Sequence, residues 1–458
     1  MNSQETIPHC DAAGVETVLS GSPFQGYSYS YPHKTAYRYF DEAIPLRDLW
    51  RDENTDSLFL YLHVPFCEHR CGFCNLFTQA NPEDGLTARY LRQLTAECEQ
   101  VADSIGEVRF ARMAIGGGTP TFLSLPELLT LFRLVQDHFV VSIEPECLIP
   151  TSIEVSPPTI DRDKLELLSS FHVERISIGI QSFLNDEVHG IGRPQKPGEA
   201  HAALGLIREF PFPRLNIDLI YGGDGQTVGS WLSSIDQALR YEPEELFLYP
   251  LYVRPLTGLG RLDHDRCDAE WDEHRLTLYR EGRAKLLATG YRQVSMRMFE
   301  RADVPASSGP DYCCQLDGMI GLGCGARSYT QSLHYSTEYA VGKSGVQSIL
   351  ADYLSRGPKS FSQAQYGYRL PHGDQRRRFV LQSLLQVDGL NRDAFAVRFG
   401  LDVMDDFSQL AELTESGLAE FDDRSVRLTP AGLERSDAIG PWLYSPRVRK
   451  LMDEFDLR

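Results

Sequence analysis

The stretch Tyr61-Leu-His-Val-Pro-Phe-Cys67-Glu-His-Arg-Cys71-Gly-Phe-Cys74 closes an apolar run with three cysteines separated by three and then two residues. Thiols spaced in this way can converge on one face of a loop as thiolate ligands, a geometry that suits an iron–sulfur cluster. A cubane [4Fe–4S] cluster is usually held by four cysteines, so three in one loop leave one iron open to a chelating small molecule. Zinc is the alternative that the spacing leaves open. It wants a fourth ligand, and His63 or His69 could offer one.

Outward from this loop the chain alternates β-branched apolar runs with segments of helical period. Strands are expected at Leu58–Phe66, Arg109–Ile115, Ser152–Ser156, Glu174–Ile180, Leu215–Tyr221 and Leu246–Tyr252, with helices over 86–104, 125–138, 161–171, 198–210 and 226–240 between them. Such alternation demands a parallel sheet with crossover helices, and six units suit a partial (β/α)6 barrel. Functional groups gather where the βα-loops leave the strands. The cysteine loop follows the first strand, Gly116-Gly-Gly-Thr-Pro120 the second, Glu154 ends the third, Gln181 the fourth, and Asp218 lies late in the fifth. Glycines admit close approach of backbone to a ligand. The Gly116–Thr119 run is no P-loop, because no Gly-Lys-Ser/Thr follows; alone it would read as a turn, and its place one strand after the cysteines is what gives it weight.

Composition narrows the class. A chain of 458 residues exceeds the usual single core, so a large domain plus a smaller one is expected. The N-terminus lacks a basic-then-apolar signal pattern and no apolar run reaches transmembrane length, which points to the cytoplasm. Ten cysteines, scattered apart from the triplet and Cys313-Cys314, do not read as a disulfide framework. Cys98 shares a helical stripe with Leu91, Leu94, Val101 and Ile105 and reads as core. A net charge of −19 argues against nucleic acid and for a small-molecule partner.

Taken together, Tyr61-Leu-His-Val-Pro-Phe-Cys67, Ile115-Gly-Gly-Gly-Thr-Pro-Thr121, Ser152-Ile-Glu-Val155, Arg175-Ile-Ser-Ile-Gly-Ile-Gln-Ser-Phe183, Gly192-Arg193 and Asn216-Ile-Asp-Leu-Ile-Tyr-Gly222 resemble the oxygen-independent coproporphyrinogen III oxidase (HemN-like) family of radical S-adenosylmethionine (SAM) enzymes. That family also includes haem chaperones and class C methyltransferases. The resemblance runs from about residue 57 to the C-terminus. It implies a [4Fe–4S] cluster on Cys67, Cys71 and Cys74 whose open iron takes SAM, and a low-potential electron donor such as flavodoxin or ferredoxin. Tyr61, Gly117 and Glu154 match positions that hold the cluster-bound SAM; Phe73, Gly118, Thr119, Gln181, Arg193, Asp218 and Val253 match positions around a second SAM.

The expected organisation is an N-terminal extension (1–56), a radical SAM core barrel (57–300), a barrel-flanking and connecting region (301–374) and a winged-helix-like C-terminal domain (375–458). DNA binding by the last is disfavoured, because residues 401–423 carry eight acidic side chains and no Lys or Arg. Its expected role is a lid or substrate-domain element. The polar N-terminal extension cannot make a core alone and is expected to drape over the next domain or to cover its active site; its Tyr27–Tyr31 region resembles the Tyr-Thr-Ser-Tyr-Pro of the decarboxylases.

Two departures stand out. The decarboxylases carry a fourth cysteine two residues after the third, where this chain has Leu76. The family's Gly-Tyr-x-x-Tyr-Glu-Ile-Ser-Asn-Phe is rewritten at Val294, Ser295, Arg297 and Met298. Gly321–Ser328 resembles the family's Gly-rich stretch, with a tight turn beside the barrel as its plain alternative. The leading expectation is oxidative decarboxylation of an anionic, tetrapyrrole-like substrate, with Arg193, Arg254, Arg297, Lys34 and Arg38 as candidate cations. A methyltransferase and a haem-binding carrier without turnover are the competing readings.

Overall fold

The computed structural model describes residues 14–28, 30–139, 149–262, 269–305 and 313–458; Tyr29 of the aromatic N-terminal stretch lies outside them. One sheet organises the chain. Its strands are β1 (Arg38–Pro45), β2 (Leu58–Val64), β3 (Phe110–Gly117), β4 (Thr151–Val155), β5 (Val173–Gln181), β6 (Arg214–Tyr221), β7 (Glu245–Pro250), β8 (Tyr291–Gln293), β9 (Met298–Arg301), β10 (Met319–Leu322), β11 (Arg327–Tyr329), β12 (Leu333–Ser336) and β13 (Gln363–Arg369). Their order across the sheet is β1-β13-β12-β11-β10-β2-β3-β4-β5-β6-β7-β9-β8.

Strands β2 to β7 are the six expected ones, parallel and sequential. The helices between them are α1 (Leu86–Ile105), α2 (Leu125–Phe139), α3 (Arg162–Ser170), α4 (Glu199–Ile207) and α5 (Val228–Leu239), followed by α6 (Ala269–Ala288). Their caps are local: Asp161 accepts from the Lys164 amide at 2.9 Å, and Thr227 and Ser230 form a reciprocal capping box. On α1, Tyr90, Leu91, Leu94, Cys98 and Val101 are buried, so Cys98 is a core residue.

The strands alternate sharply. Ile153, Ile176, Ile178, Ile217, Leu219, Leu246 and Leu248 join the main apolar core. On the opposite face, register aligns Glu154 with Ser177, Ser177 with Asn216, and Gly179 with Asp218. A strand's period of two therefore separates an apolar face from a polar barrel interior, and the site is built on the latter.

Two features depart from the sequence reading. Residues 319–322, expected in the connecting region, form a seventh parallel strand paired directly with β2, Gly321 opposite Tyr61. The N-terminal extension does not lie on the barrel alone. Its β1 pairs with β13, and Val18, Tyr31, Ala36 and Tyr37 join the apolar core of the C-terminal residues. The Tyr31 hydroxyl donates to Asp374 at 2.6 Å. In the C-terminal unit, residues 403–417 form two short helices, Val403–Asp406 and Leu410–Glu415, and a three-stranded sheet of Leu390–Asn391, Ser425–Leu428 and Ala419–Phe421 completes the winged-helix-like order. Among the described residues, no helix is long and apolar enough to cross a membrane.

Candidate active site at the cysteine loop

Beyond β2 the chain makes a short pairing of Phe66–Cys67 with Gln79–Ala80, which brackets the cysteine loop. The second strand's glycines press against its start. The Gly118 amide donates to Val64 O at 2.8 Å and the Thr119 amide to Phe66 O at 2.7 Å, while the Thr119 hydroxyl lies 3.7 Å from Cys67 Sγ. A Cβ on Gly118 would sit 2.4 Å from Phe66 O and 2.9 Å from Cys67 Sγ, so only glycine fits.

The loop's far side docks on two other turns. The Gly72 amide donates to Gly192 O at 3.0 Å, and Gly72 O accepts from the Leu259 amide at 2.8 Å. A Cβ on Gly72 would meet Ile191 O at 2.8 Å. Gly72→Ala is therefore expected to displace the loop and to lower iron incorporation on anaerobic reconstitution at least about tenfold, an effect equivalent to about 1.4 kcal/mol. Iron analysis at unchanged thermal stability checks this.

Arg193 follows directly from that contact. Its Nη1 lies 3.6 Å from Cys71 Sγ, and its Nη2 donates to Gly179 O at 2.6 Å and to Ser156 Oγ at 3.2 Å. The guanidinium is thus fixed beside the Cys71 sulfur by a carbonyl and a hydroxyl. Burial pushes the Cys67 thiol up to about 12 and raises Cys74 as well; metal cations supply the charge that would ionise them.

The carboxylates stand in the barrel interior. Glu154 accepts from the Gly117 amide at 3.1 Å. Its side chain is open to the cavity, yet so much protein surrounds it that its pKa is pushed up to about 7, with the Asp218 charge adding to the rise. Burial likewise brings Asp218 up to about 6, opposed by a 2.8 Å hydrogen bond from Asn216 Nδ2. Gln181 ends β5 at φ +69, where a register break turns the chain into its loop.

The remaining expected residues are more dispersed. The Tyr61 hydroxyl lies 3.2 Å from His63 Nδ1. Phe73 packs against Ile191, Ile220 and Leu251. Val253 is half-buried in the loop beyond β7. Arg297, expected to face substrate, is instead buried in an ion pair with Asp437 and donates to the Tyr252 hydroxyl at 2.7 Å. The Asp437 carboxylate neutralises this cation within the fold.

Two residues, Asn216 and Tyr249, were not singled out from sequence, and His63 was named there only as a possible zinc ligand. Buried His63 contacts Phe77 O through Nε2 at 3.1 Å and is held down to about 4 by burial. Since a carbonyl only accepts, Nε2 carries the proton and Nδ1 is left for Tyr61; both ring nitrogens are engaged, which weakens a zinc-ligand role for this histidine. Asn216 bridges Ser177 and Asp218, and its Oδ1 is buried without a protein partner. Tyr249 on β7 feels the charges of both Asp218 and Glu154. Strand alternation with Phe247 was the available signal. The Gly321–Ser328 stretch is more than a turn beside the barrel: the Tyr90 hydroxyl accepts from the Cys324 amide at 3.1 Å and donates to His63 O at 2.5 Å, tying it to the back of the cysteine strand.

Among the described residues, no three His, Cys, Asp or Glu side chains are grouped to hold a single metal ion. The cysteines of a cubane each ligate a different iron, so the cluster does not ask for such a group. The three thiols, the glycine cradle against Cys67, the cation at Cys71 and the orphaned Asn216 oxygen in the polar interior fit a cluster with an adjoining polar ligand.

Comparison with known proteins agrees with this geometry. Residues 61–238 match the radical SAM superfamily model and residues 370–434 the HemN C-terminal domain. The haem chaperone HemW of Escherichia coli is 30% identical over 322 residues, 68% of this chain and 76% of that protein. The oxygen-independent coproporphyrinogen III oxidase of Pseudomonas aeruginosa is 25% identical over 430 residues, 90% of this chain and 91% of that protein. The solved coproporphyrinogen III oxidase HemN of E. coli shares the fold, with a TM-score of 0.76 at 24% identity over 91% of this chain and 96% of that one. On its motifs, its architecture and these relatives, the chain belongs to the HemN-like family of the radical SAM superfamily, which embraces both coproporphyrinogen III oxidases and HemW haem chaperones.

Proposed function

We propose that this chain is a radical SAM oxidoreductase of the cytoplasm that acts on an anionic, tetrapyrrole-type substrate, most like oxygen-independent coproporphyrinogen III oxidase in its oxidative decarboxylation. One observation carries the reading: the cysteine loop and the polar barrel interior adjoin, linked by the Gly117 amide to Glu154 and by Arg193 to Cys71. Family membership implies a [4Fe–4S] cluster and SAM. When bound, they supply a 5′-deoxyadenosyl radical for hydrogen abstraction.

In this reading Cys67, Cys71 and Cys74 hold the cluster, and Tyr61, Gly117 and Glu154 hold its SAM. Gln181, Arg193 and Asp218, with Phe73, Gly118, Thr119 and Val253, border a second SAM. Gly118 and Thr119 lie against Cys67, which supports a place for them beside the cluster itself. A low-potential donor of the flavodoxin or ferredoxin kind would supply the electron.

Glu154 makes the reading sensitive to pH. With its pKa near 7, it ionises between pH 6 and 8. Only the ionised form offers both oxygens purely as acceptors to an amino group. SAM affinity is expected to rise about tenfold across that interval and to be flat in Glu154→Gln, as measured by anaerobic equilibrium binding.

The decisive experiment is anaerobic reconstitution with iron, sulfide, reductant and SAM, followed by coproporphyrinogen III and mass spectrometry. Release of 5′-deoxyadenosine, carbon dioxide and protoporphyrinogen supports the proposal. S-adenosylhomocysteine would instead assign methyl transfer. Haem binding without 5′-deoxyadenosine would assign the carrier, and a colourless zinc protein would remove the radical SAM reading altogether.

A further inference from the structure

The two oxygens of Asp218 are held unequally. Oδ1 accepts from Asn216 Nδ2 at 2.8 Å, whereas Oδ2 has no hydrogen-bond partner among the described residues. Register sets Asp218 opposite Gly179, where two further residues of the site converge. Arg193 Nη2 donates to the Gly179 carbonyl at 2.6 Å. A Cβ on Gly179 would fall 2.7 Å from Gln181 Nε2, so any larger residue at 179 would displace the Gln181 amide.

Asn216 stands two residues before Asp218, on the same face of β6. It is 1% exposed, and both protons of its Nδ2 are spent, one on Asp218 and one on Ser177 Oγ at 2.8 Å. Two donors on one nitrogen are what these two oxygens require. Asn216 Oδ1 is buried with no partner, a cost in stability that an apolar side chain of similar size would not incur. Turning the amide over would not remove that cost, since it would set the carbonyl against the carboxylate.

We infer that Asn216 is a positioning residue for Asp218: anchored on Ser177, it holds one carboxylate oxygen and thereby presents the other to an amino or hydroxyl group of the bound ligand. The inference rests on the proposed function, in which Asp218 borders the second SAM, and adds the residue that fixes that carboxylate. The charges around the pair agree with it. Burial lifts Asp218 to about 6, and the Asn216 hydrogen bond is first among the contacts that hold it down. Arg175 and Arg193 act in the same direction and Glu245 in the opposite one; Glu154 and Tyr249 also lie within reach of its charge. Losing the Asn216 donor therefore raises Asp218 and discharges it near neutral pH, by about 1 to 2 pH units for one hydrogen bond to a charged group.

Carbon-13 NMR of the anaerobically reconstituted protein, labelled at its aspartate carboxyls, follows Asp218 directly, with the resonance assigned by its loss in Asp218→Asn. The wild-type midpoint is expected near pH 6. Asn216→Leu, similar in size and without a donor, should raise it by about 1 to 2 units. Asn216→Asp should raise it further, because like charges cannot both ionise cheaply. Anaerobic equilibrium dialysis with SAM supplies the functional readout. In Asn216→Leu the second SAM equivalent is expected to bind about 3- to 20-fold more weakly than in the wild type at about pH 6.5, and as tightly at about pH 9. A residue that only packs the strand would weaken binding equally at every pH. An unchanged Asp218 midpoint in both variants, or a loss that persists at high pH, overturns the inference. If the wild type binds a single SAM, the second-SAM reading falls, while the carboxyl titration still decides whether Asn216 governs Asp218.

Discussion

Replacing Cys67, Cys71 or Cys74 singly by alanine is expected to abolish the cluster chromophore of the reconstituted protein and to reduce SAM cleavage to background. The three thiols are not interchangeable, because different contacts hold them. Cys67 is pinned by the Phe66–Cys67 pairing and by the Gly118–Thr119 backbone, and Cys71 lies beside Arg193. The Cys74 amide closes a turn on Cys71 O at 3.1 Å. No neighbouring cysteine can move into a vacated position without breaking one of these. Cys98→Ala makes the control: it trims a core thiol of 0% exposure on α1, with an expected cost of about 1 kcal/mol in stability and no loss of iron. Iron analysis, visible absorbance and 5′-deoxyadenosine yield separate the two outcomes. A wild-type level of cluster in any of the three loop variants would refute the ligand assignment.

Arg297→Ala is expected to destabilise the protein by about 3–5 kcal/mol, the range for removing one partner of a buried ion pair. The side chains of Arg297 and Asp437 are 4% and 1% exposed, so the variant strands a carboxylate that water cannot reach. The pair does more than neutralise itself. The Tyr252 hydroxyl also donates to Asp437, and the Tyr27 ring lies 3.8 Å from the Arg297 guanidinium carbon. One contact thus joins the N-terminal segment, the loop beyond β7, the strand-forming segment before β9 and the C-terminal unit. Arg297→Lys should recover only part of the stability, since an ammonium lacks the planar face that stacks on the Tyr27 ring. Arg297→Met combined with Asp437→Leu should recover most of it, because a well-packed apolar pair carries no desolvation cost. Urea unfolding followed by circular dichroism measures all three. A cost below about 1 kcal/mol for Arg297→Ala would show that the carboxylate finds water or another partner.

Much of the barrel was legible along the chain. In Ile153-Glu154-Val155 and Ile217-Asp218-Leu219 the apolar flanks enter the core, and the carboxylate between them enters the interior. A strand presents alternate residues to opposite faces, so which side chains share a face follows from the order of the residues. The same logic puts the cysteine loop and the Gly116–Thr119 run at one end of adjacent parallel strands. It also made Cys98 a core residue, since helical period groups it with Leu91, Leu94 and Val101.

Pairing between distant segments was not legible. Periodicity reports that a residue is buried, without saying against what. Met319–Leu322 reads as a short apolar run either way, and only the fold sets it beside Leu58–Val64 as a seventh parallel strand. The N-terminal strand likewise finds its partner in Gln363–Arg369. Arg297 is the sharpest case. An arginine facing a bound anion and an arginine buried against a carboxylate are the same letter in the chain, and the choice depends on Asp437, 140 residues away. By itself the sequence determined the strand order of the barrel, the cysteine loop and the polar face. The tertiary structure decided that Arg297 is spent in holding the fold together, because the position of a counter-charge in space is set by packing and not by local pattern.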